Sequence, residues 1–288
     1  PTLDLGLGEQ VSVTTLSKLP PLPSTRASVP RRPVPEAADS RLLDALARRL
    51  FGIPYLKEEQ LALLDKAFKG SSYLGVLPTG FGKSLCFQLP AYLSLGTTIV
   101  VSPLRSLMRD QVRGLGRRGL GGVEMILSDQ TSDEKAAIVG KLRAGRLKLL
   151  YLSPERLLMK AFAKPLLENI AESPISFVAV DEAHCVSEWG HDFRPAYLRI
   201  SEIADRLASA DEPIPLQALT ATASGPVRKD VIRVLRIDEQ NVVQGRSIDR
   251  PELSLSVHSV SSGDKAAVLG DLWNNGLVEI LGLSTSSF

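Results

Sequence analysis

The sequence predicts an α/β fold, a mostly parallel sheet covered by helices on both faces, and three observations predict it. Short apolar runs alternate with helix-length stretches from residue 40 onward. A glycine-rich tract, Leu-Pro-Thr-Gly-Phe-Gly-Lys-Ser at Leu77 to Ser84, follows the first run directly. Two adjacent carboxylates, in Asp-Glu-Ala-His at Asp181 to His184, follow a later one. Continuous apolar runs need cover on both faces, and intervening helices supply it when successive strands run parallel.

Taken in order, residues 1–39 hold Pro20, Pro21, Pro23, Pro30, Pro33 and Pro35 among serines, threonines and arginines. Such a mixture cannot bury a core and reads as a flexible segment, with Arg26, Arg31 and Arg32 as a solvated basic tail. The chain opens on Pro1 and not on methionine, which suggests a fragment or a processed form. Ser40 can cap a helix that runs through Leu50 and ends at Gly52, and Lys57 to Phe68 has helical apolar spacing with Gly70 beyond. Strands are expected at Tyr73–Leu77, Thr98–Ser102, Val123–Leu127, Leu147–Leu152, Phe177–Asp181 and Leu216–Thr220. The polar tracts after these strands then fall at the carboxyl edge of the sheet, where open α/β folds bind ligands. Residues 40–253 thus form one domain and 254–288 begin with a linker. No internal repeat is visible.

Composition narrows the classes. A hydrophobic content of 44% over 288 residues is ample for a core. No apolar run approaches the ~20 residues of a membrane-spanning helix, and the start lacks the order of a signal peptide, so no membrane partner is expected. The two cysteines, Cys86 and Cys185, cannot make a four-cysteine zinc site and read as small core residues. A net charge of +2 is weak evidence for nucleic acid. Any such partner must be argued from particular residues.

The two polar motifs divide one chemical task. Thr79, Gly80 and Gly82 let loop amides face phosphate oxygens, with a helix start adding its positive end. Lys83 supplies a point charge at the outer phosphates of ATP, Ser84 and Asp181 hold Mg2+, and Glu182 prepares the attacking water. A lysine at a helix start is otherwise unfavourable, because it opposes the helix dipole unless an anion compensates. His184 reads either as a structural hydrogen-bonding group or as a relay to the rest of the machine.

From Phe51 to about Leu253 the ordered motifs resemble the first motor domain of RecQ-type DNA helicases, a RecA-like P-loop domain with a DEAH box. Phe51-Gly52 and Gln60 are similar to the adenine-recognition motif of that family, and the P-loop continues into Ser84-Leu85-Cys86-Phe87-Gln88-Leu89-Pro90. Val101 to Met108, with Ser102 and Arg105, and Tyr151 to Leu157, with Ser153 and Arg156, resemble its early DNA-contacting motifs. Asp181 to Cys185 runs into Val186 to Pro195, similar to its aromatic-rich loop with Trp189, His191, Phe193 and Arg194. Leu219 to Ala223, with Thr220 and Thr222, resembles the segment that links ATP state to DNA grip, and Ser247 to Pro251 the segment that leads out of the domain. Three positions depart. Ile53 and Lys57 stand where the family has an aromatic residue and an arginine near the adenine, which should weaken base selectivity. Phe81 stands for a glycine within the P-loop.

The resemblance implies an ATP-hydrolysing, 3′-to-5′ DNA helicase of repair or recombination. DNA would be the partner, single-stranded, forked or tailed, and a second RecA-like lobe would complete the ATP site. Residues 254–288 would be the linker and truncated start of that lobe. The place would be the bacterial cytoplasm and nucleoid, or the eukaryotic nucleus. Trp189, His191, Phe193 and Arg194 combine stacking rings with cations, the composition that single-strand binding needs, although Trp189 and Phe193 could instead be core aromatics. Arg105, Arg109, Arg113 and Arg117 recur every fourth residue beside the apolar face of Leu104, Met108, Val112 and Leu115. Either solvent or a DNA backbone relieves their repulsion. Two other classes stay open: a nucleotide- and strand-binding module without turnover, for lack of transition-state arginines, and an RNA helicase.

Overall fold

The computed structural model describes residues 2–4, 10–12, 40–159, 174–189, 192–208, 213–245, 259–271 and 273. It divides into a large unit, Pro1–Ile248, and a small one, Asp249–Phe288. Among the described residues no helix is long and apolar enough to cross a membrane. His191 and Ser247 to Pro251, read above as functional, lie outside the described residues.

The large unit is built on a seven-stranded sheet in which every pairing is parallel. Its strands are β3 (Tyr73–Val76), β4 (Thr97–Val101), β5 (Val123–Ile126), β6 (Leu149–Leu152), β7 (Ile175–Val180), β8 (Leu216–Thr220) and β9 (Val242–Gln244), in the spatial order β5-β6-β4-β7-β8-β3-β9. The six expected strands are present, β8 with the expected bounds and the other five with one or both ends displaced by one or two residues. The seventh, β9, is short and half-exposed at the sheet edge, and its apolar signal is correspondingly brief. A separate antiparallel ribbon, β1 (Thr2–Asp4) with β2 (Gln10–Ser12), lies within the segment read as flexible. The rest of that segment is outside the described residues.

Alternate residues of each strand face opposite layers, and each layer has its own core. Leu74, Val76, Ile99, Val101, Leu150, Leu152, Val178 and Val180 pack on one side. They meet α5 (Ser132–Arg143), α7 (Ile200–Leu207) and α8 (Gly225–Leu235). Tyr73, Val100, Leu149, Tyr151, Phe177 and Leu219 face the other side. Against them lie α1 (Ser40–Phe51), α2 (Glu58–Phe68), α3 (Leu85–Leu93) and α4 (Arg105–Arg117). A short α6 (Pro154–Leu158) follows β6. Cys86 and Cys185 are both buried, one in each core.

Helix α3 contains Pro90, which has no N–H to donate to the carbonyl of Cys86 four residues earlier. The Tyr73 hydroxyl lies 3.2 Å from that carbonyl and 3.2 Å from Gln217 Oε1, so its one proton is shared between the vacant place and the amide oxygen. Strand β3 and the helix after the glycine loop are thereby joined by a polar contact inside an apolar layer.

In the small unit, α9 (Lys265–Asp271) follows Ser261, whose hydroxyl donates to Asp264 at 2.6 Å. Leu269 and Trp273 are exposed there.

Candidate active site

Strand order decides which motifs meet. The glycine loop leaves β3, the acidic motif leaves β7, and β8 lies between them. Their carboxyl ends bring Lys83, Asp181, Glu182 and Thr220 to one stretch of the sheet edge. Ser102 and Ser153 leave β4 and β6, on the far side of β7. The strand that carries the carboxylates therefore stands between the two groups of motifs.

Gly80 and Gly82 have φ of +79° and +86°, a region closed to most side chains. A Cβ on Gly82 would come within 2.8 Å of Gln60 Nε2. Gln60 is buried and donates to the carbonyls of Phe81 at 3.0 Å and Gly82 at 3.3 Å, while its Oε1 accepts the Lys57 backbone N–H at 2.9 Å. One side chain thus fastens the start of α2 to the glycine loop. Phe81 is half-buried, and Lys57 Nζ sits 3.9 Å from its ring centre. Two of the three departures from the family pattern therefore contact each other as a cation–π pair.

Sequence reasoning missed Tyr55. It is 67% exposed on the segment between α1 and α2, which Arg48 clamps through the Pro54 carbonyl at 3.0 Å and Asp44 through the Leu56 N–H at 2.7 Å. An exposed tyrosine carries no periodic signal. Only the folded segment shows a ring on a fixed support near Lys57.

Lys83 Nζ donates to the loop carbonyls of Leu77 at 3.2 Å and Pro78 at 3.4 Å. Burial lowers its pKa, and the nearby Glu182 and Asp181 oppose that fall. Helix α3 begins at Leu85, just after Lys83 and Ser84, so loop amides and helix start face the same space. Ser84 Oγ accepts from Gln111 Nε2 at 3.0 Å, and Gln111 Oε1 accepts from Gln88 at 2.6 Å.

Asp181 is buried, and burial, followed by the neighbouring Glu182, pushes its carboxyl up to about 6. Such a group favours a cation beside it. Asp181 and the Ser84 hydroxyl carry hard oxygen donors of the kind that Mg2+ takes, so the residue types present fit that ion. Glu182 has φ 49° and ψ 49°, a left-handed conformation that a non-glycine residue holds only against strain. This turn directs the two carboxylates differently.

His184 Nδ1 lies 3.0 Å from Thr220 Oγ1 and 3.3 Å from Glu182 Oε2. The Cys185 sulfur and then the Glu182 carboxylate push its pKa up to about 10. Thr220 gives its own hydroxyl proton to the Thr222 carbonyl at 3.0 Å, and its oxygen is left to accept from His184. The structure thus supplies a polar chain from Glu182 through His184 and Thr220 to the Thr222 backbone.

The residues read as DNA contacts fall into unlike settings. Trp189 is 78% exposed, which removes the core reading for it, while Phe193 is half-buried. Arg194 Nη1 is 3.6 Å from Glu155, and Arg156 is half-buried. Ser153 caps α6 by accepting the Arg156 N–H at 3.3 Å, and Ser102 is buried with a hydroxyl that has no hydrogen-bond partner among the described residues. Arg105 and Arg109 both pair with Asp129, the latter at 2.8 Å. An internal carboxylate therefore relieves part of the repulsion in half of the stripe, a partner that neither the solvent nor the DNA reading had included.

Residues 57–231 match the family model of the DEAD/DEAH box helicases. The chain is 41% identical over 211 residues to the ATP-dependent DNA helicase RecQ of Pasteurella multocida, covering 73% of this chain and 32% of that protein. It is 39% identical over 228 residues to the ATP-dependent helicase wrn-1 of Caenorhabditis elegans, covering 79% and 20%. Against its first relatives it thus spans about a third of their length. A solved structure of the DUF1998 helicase MrfA bound to DNA and AMPPNP matches with a TM-score of 0.56 at 19% identity, over 85% of this chain and 35% of that one. That likeness concerns the RecA-like helicase fold alone. With the family model spanning the glycine loop and the acidic motif, and relatives near two-fifths identity across the same stretch, the chain belongs to the DEAD/DEAH box helicases, as a RecQ-type first motor domain.

Proposed function

We propose that this chain is the ATP-binding lobe of a DNA helicase that couples ATP hydrolysis to 3′-to-5′ movement along a single strand. The observation that carries the reading is the convergence of Lys83, Asp181, Glu182 and the His184–Thr220 contact at the ends of β3, β7 and β8. Loop amides and Lys83 would bind and orient the phosphates, and Gln60, already bonded to the loop, would report on the base. Held by Ser84 and Asp181, Mg2+ would offset charge on the phosphate oxygens. Glu182 would take the proton of the attacking water, with His184 beside it fixing the carboxylate.

Catalysis at the outer phosphate commonly uses arginines as well, which a second motor lobe would provide. ATP-driven closure of two lobes and reopening after hydrolysis would give net stepping. The exposed Trp189 with Arg194 supports a single-stranded or tailed DNA partner, since such strands are held by stacking and phosphate contact. The polarity, and a role in repair or recombination within the nucleoid or nucleus, rest on the family resemblance.

The test is ATP hydrolysis by the chain with and without single-stranded DNA, with Lys83→Ala as the blank and an RNA strand as competitor. At most weak turnover of the chain alone, stimulated by DNA and not by RNA, is expected, because a second lobe would supply the transition-state arginines. ATP binding without any turnover would favour a binding module, and stimulation by RNA alone would overturn the DNA assignment.

A further inference from the structure

Helix α8 carries none of the residues assigned above, yet it holds the root of the segment that displays Trp189. Ser187 is 1% exposed, and its hydroxyl lies 2.7 Å from Asp230 Oδ2 on α8 and 3.2 Å from the backbone nitrogen of Trp189. The roles are forced. A carboxylate only accepts and an N–H only donates, so the single hydroxyl proton goes to Asp230 and the oxygen receives Trp189. The other oxygen of Asp230 accepts from Arg233 at 3.0 Å. Ser187 and then Arg233 hold this carboxyl below the usual carboxylate range.

The same strand-and-helix unit touches the acidic motif at a second point. Thr220, at the end of β8 and a few residues before α8, bonds His184, while Asp230 within α8 bonds Ser187. The 3₁₀ turn Ala183–Val186 holds the first contact at its second residue, His184, and ends just before the second, Ser187, so β8 and α8 both fasten it. A hydrogen bond from a buried serine to a half-exposed carboxylate adds only modest net stability, because the carboxylate could bond to water instead. What it adds here is direction: the backbone leading to an exposed ring is fixed relative to the helix that follows Thr220.

We propose that Asp230 is a positioning residue for DNA. Through Ser187 it sets how Trp189 meets a base, and it ties that ring to the unit that contacts His184. The proposal rests on the DNA-binding reading above, and the experiment separates their failures. In the full chain carrying Trp273→Phe, Trp189 is the only tryptophan, since the sequence has two. Quenching of its fluorescence by oligothymidylate then reads DNA affinity, and a fluorescent ATP analogue reads the nucleotide site. Asp230→Ala and Ser187→Ala should each weaken oligothymidylate binding about five-fold, the worth of one well-placed hydrogen bond, with analogue affinity and thermal midpoint unchanged. Asp230→Asn, still an acceptor, should restore most of it. A parent chain that does not bind oligothymidylate overturns the DNA reading and this role with it. A parent that binds, alongside alanine variants that bind equally well, overturns the role alone. Equal losses in DNA affinity, analogue affinity and thermal midpoint also overturn it, by showing that Asp230 serves only the fold.

Discussion

Glu182 is the residue at which local strain and chemistry coincide. Its left-handed backbone follows a strand residue, Val180, and a buried Asp181, and the turn lets the second carboxylate reach His184 while the first stays under cover. If Glu182 accepts the water proton, Glu182→Gln should bind ATP as the parent does and lower turnover by about a hundred-fold or more, the usual worth of a positioned general base. Parental hydrolysis by this variant would reassign the base. Tyr55 is open to the same kind of test. A ring 67% exposed, two residues before Lys57, would give a base the stacking surface that Ile53 lacks. Tyr55→Ala is expected to weaken ATP binding about three- to ten-fold, with inorganic triphosphate binding unchanged. An equal loss for both ligands would place Tyr55 in the support of the loop instead.

Among the elements, α3 and α4 show how a helix is adjusted for its place. Pro90 costs α3 a backbone bond, and the buried Tyr73 hydroxyl answers it. Tyr73→Phe leaves the Cys86 carbonyl without that donor and should destabilise the fold by about 1–3 kcal/mol in denaturant titration. A loss below about 0.5 kcal/mol would mean that the carbonyl finds another donor. On α4 the arginine stripe divides. Asp129 pairs with both Arg105 and Arg109 and offsets one of their two charges, whereas among the described residues Arg113 and Arg117 have no carboxylate within ion-pair distance and are exposed. The outer pair is therefore the part free to meet phosphates. Replacing both by alanine should flatten the slope of log DNA affinity against log salt by about one for each arginine that meets a phosphate. An unchanged slope would leave the stripe to solvent.

For the whole molecule, strand order turns scattered motifs into one edge. Parallel strands all deliver their carboxyl ends to the same side, so alternation alone placed the polar tracts on a common rim, and the glycine loop and Asp-Glu-Ala-His named the chemistry. Those features are legible in sequence because they depend on composition and periodicity within a few residues. Strand β9 was not, since three half-buried residues at an edge carry too little apolar pattern. Nor could sequence say which strands would be neighbours. That β8 lies between β3 and β7 follows from how the crossover helices pack on the two faces, and it alone brings Thr220 to His184. The contacts of Lys57 with Phe81, of Asp129 with two arginines, and of Asp230 with Ser187 likewise join residues far apart in the chain. The kind of fold and the residue types of the proposed ATP site were already written in the order of amino acids, because backbone periodicity and phosphate chemistry are local constraints. Which charges are already satisfied, which aromatic is exposed and which helix holds it emerged only on folding, because burial and pairing depend on neighbours that the packed chain supplies.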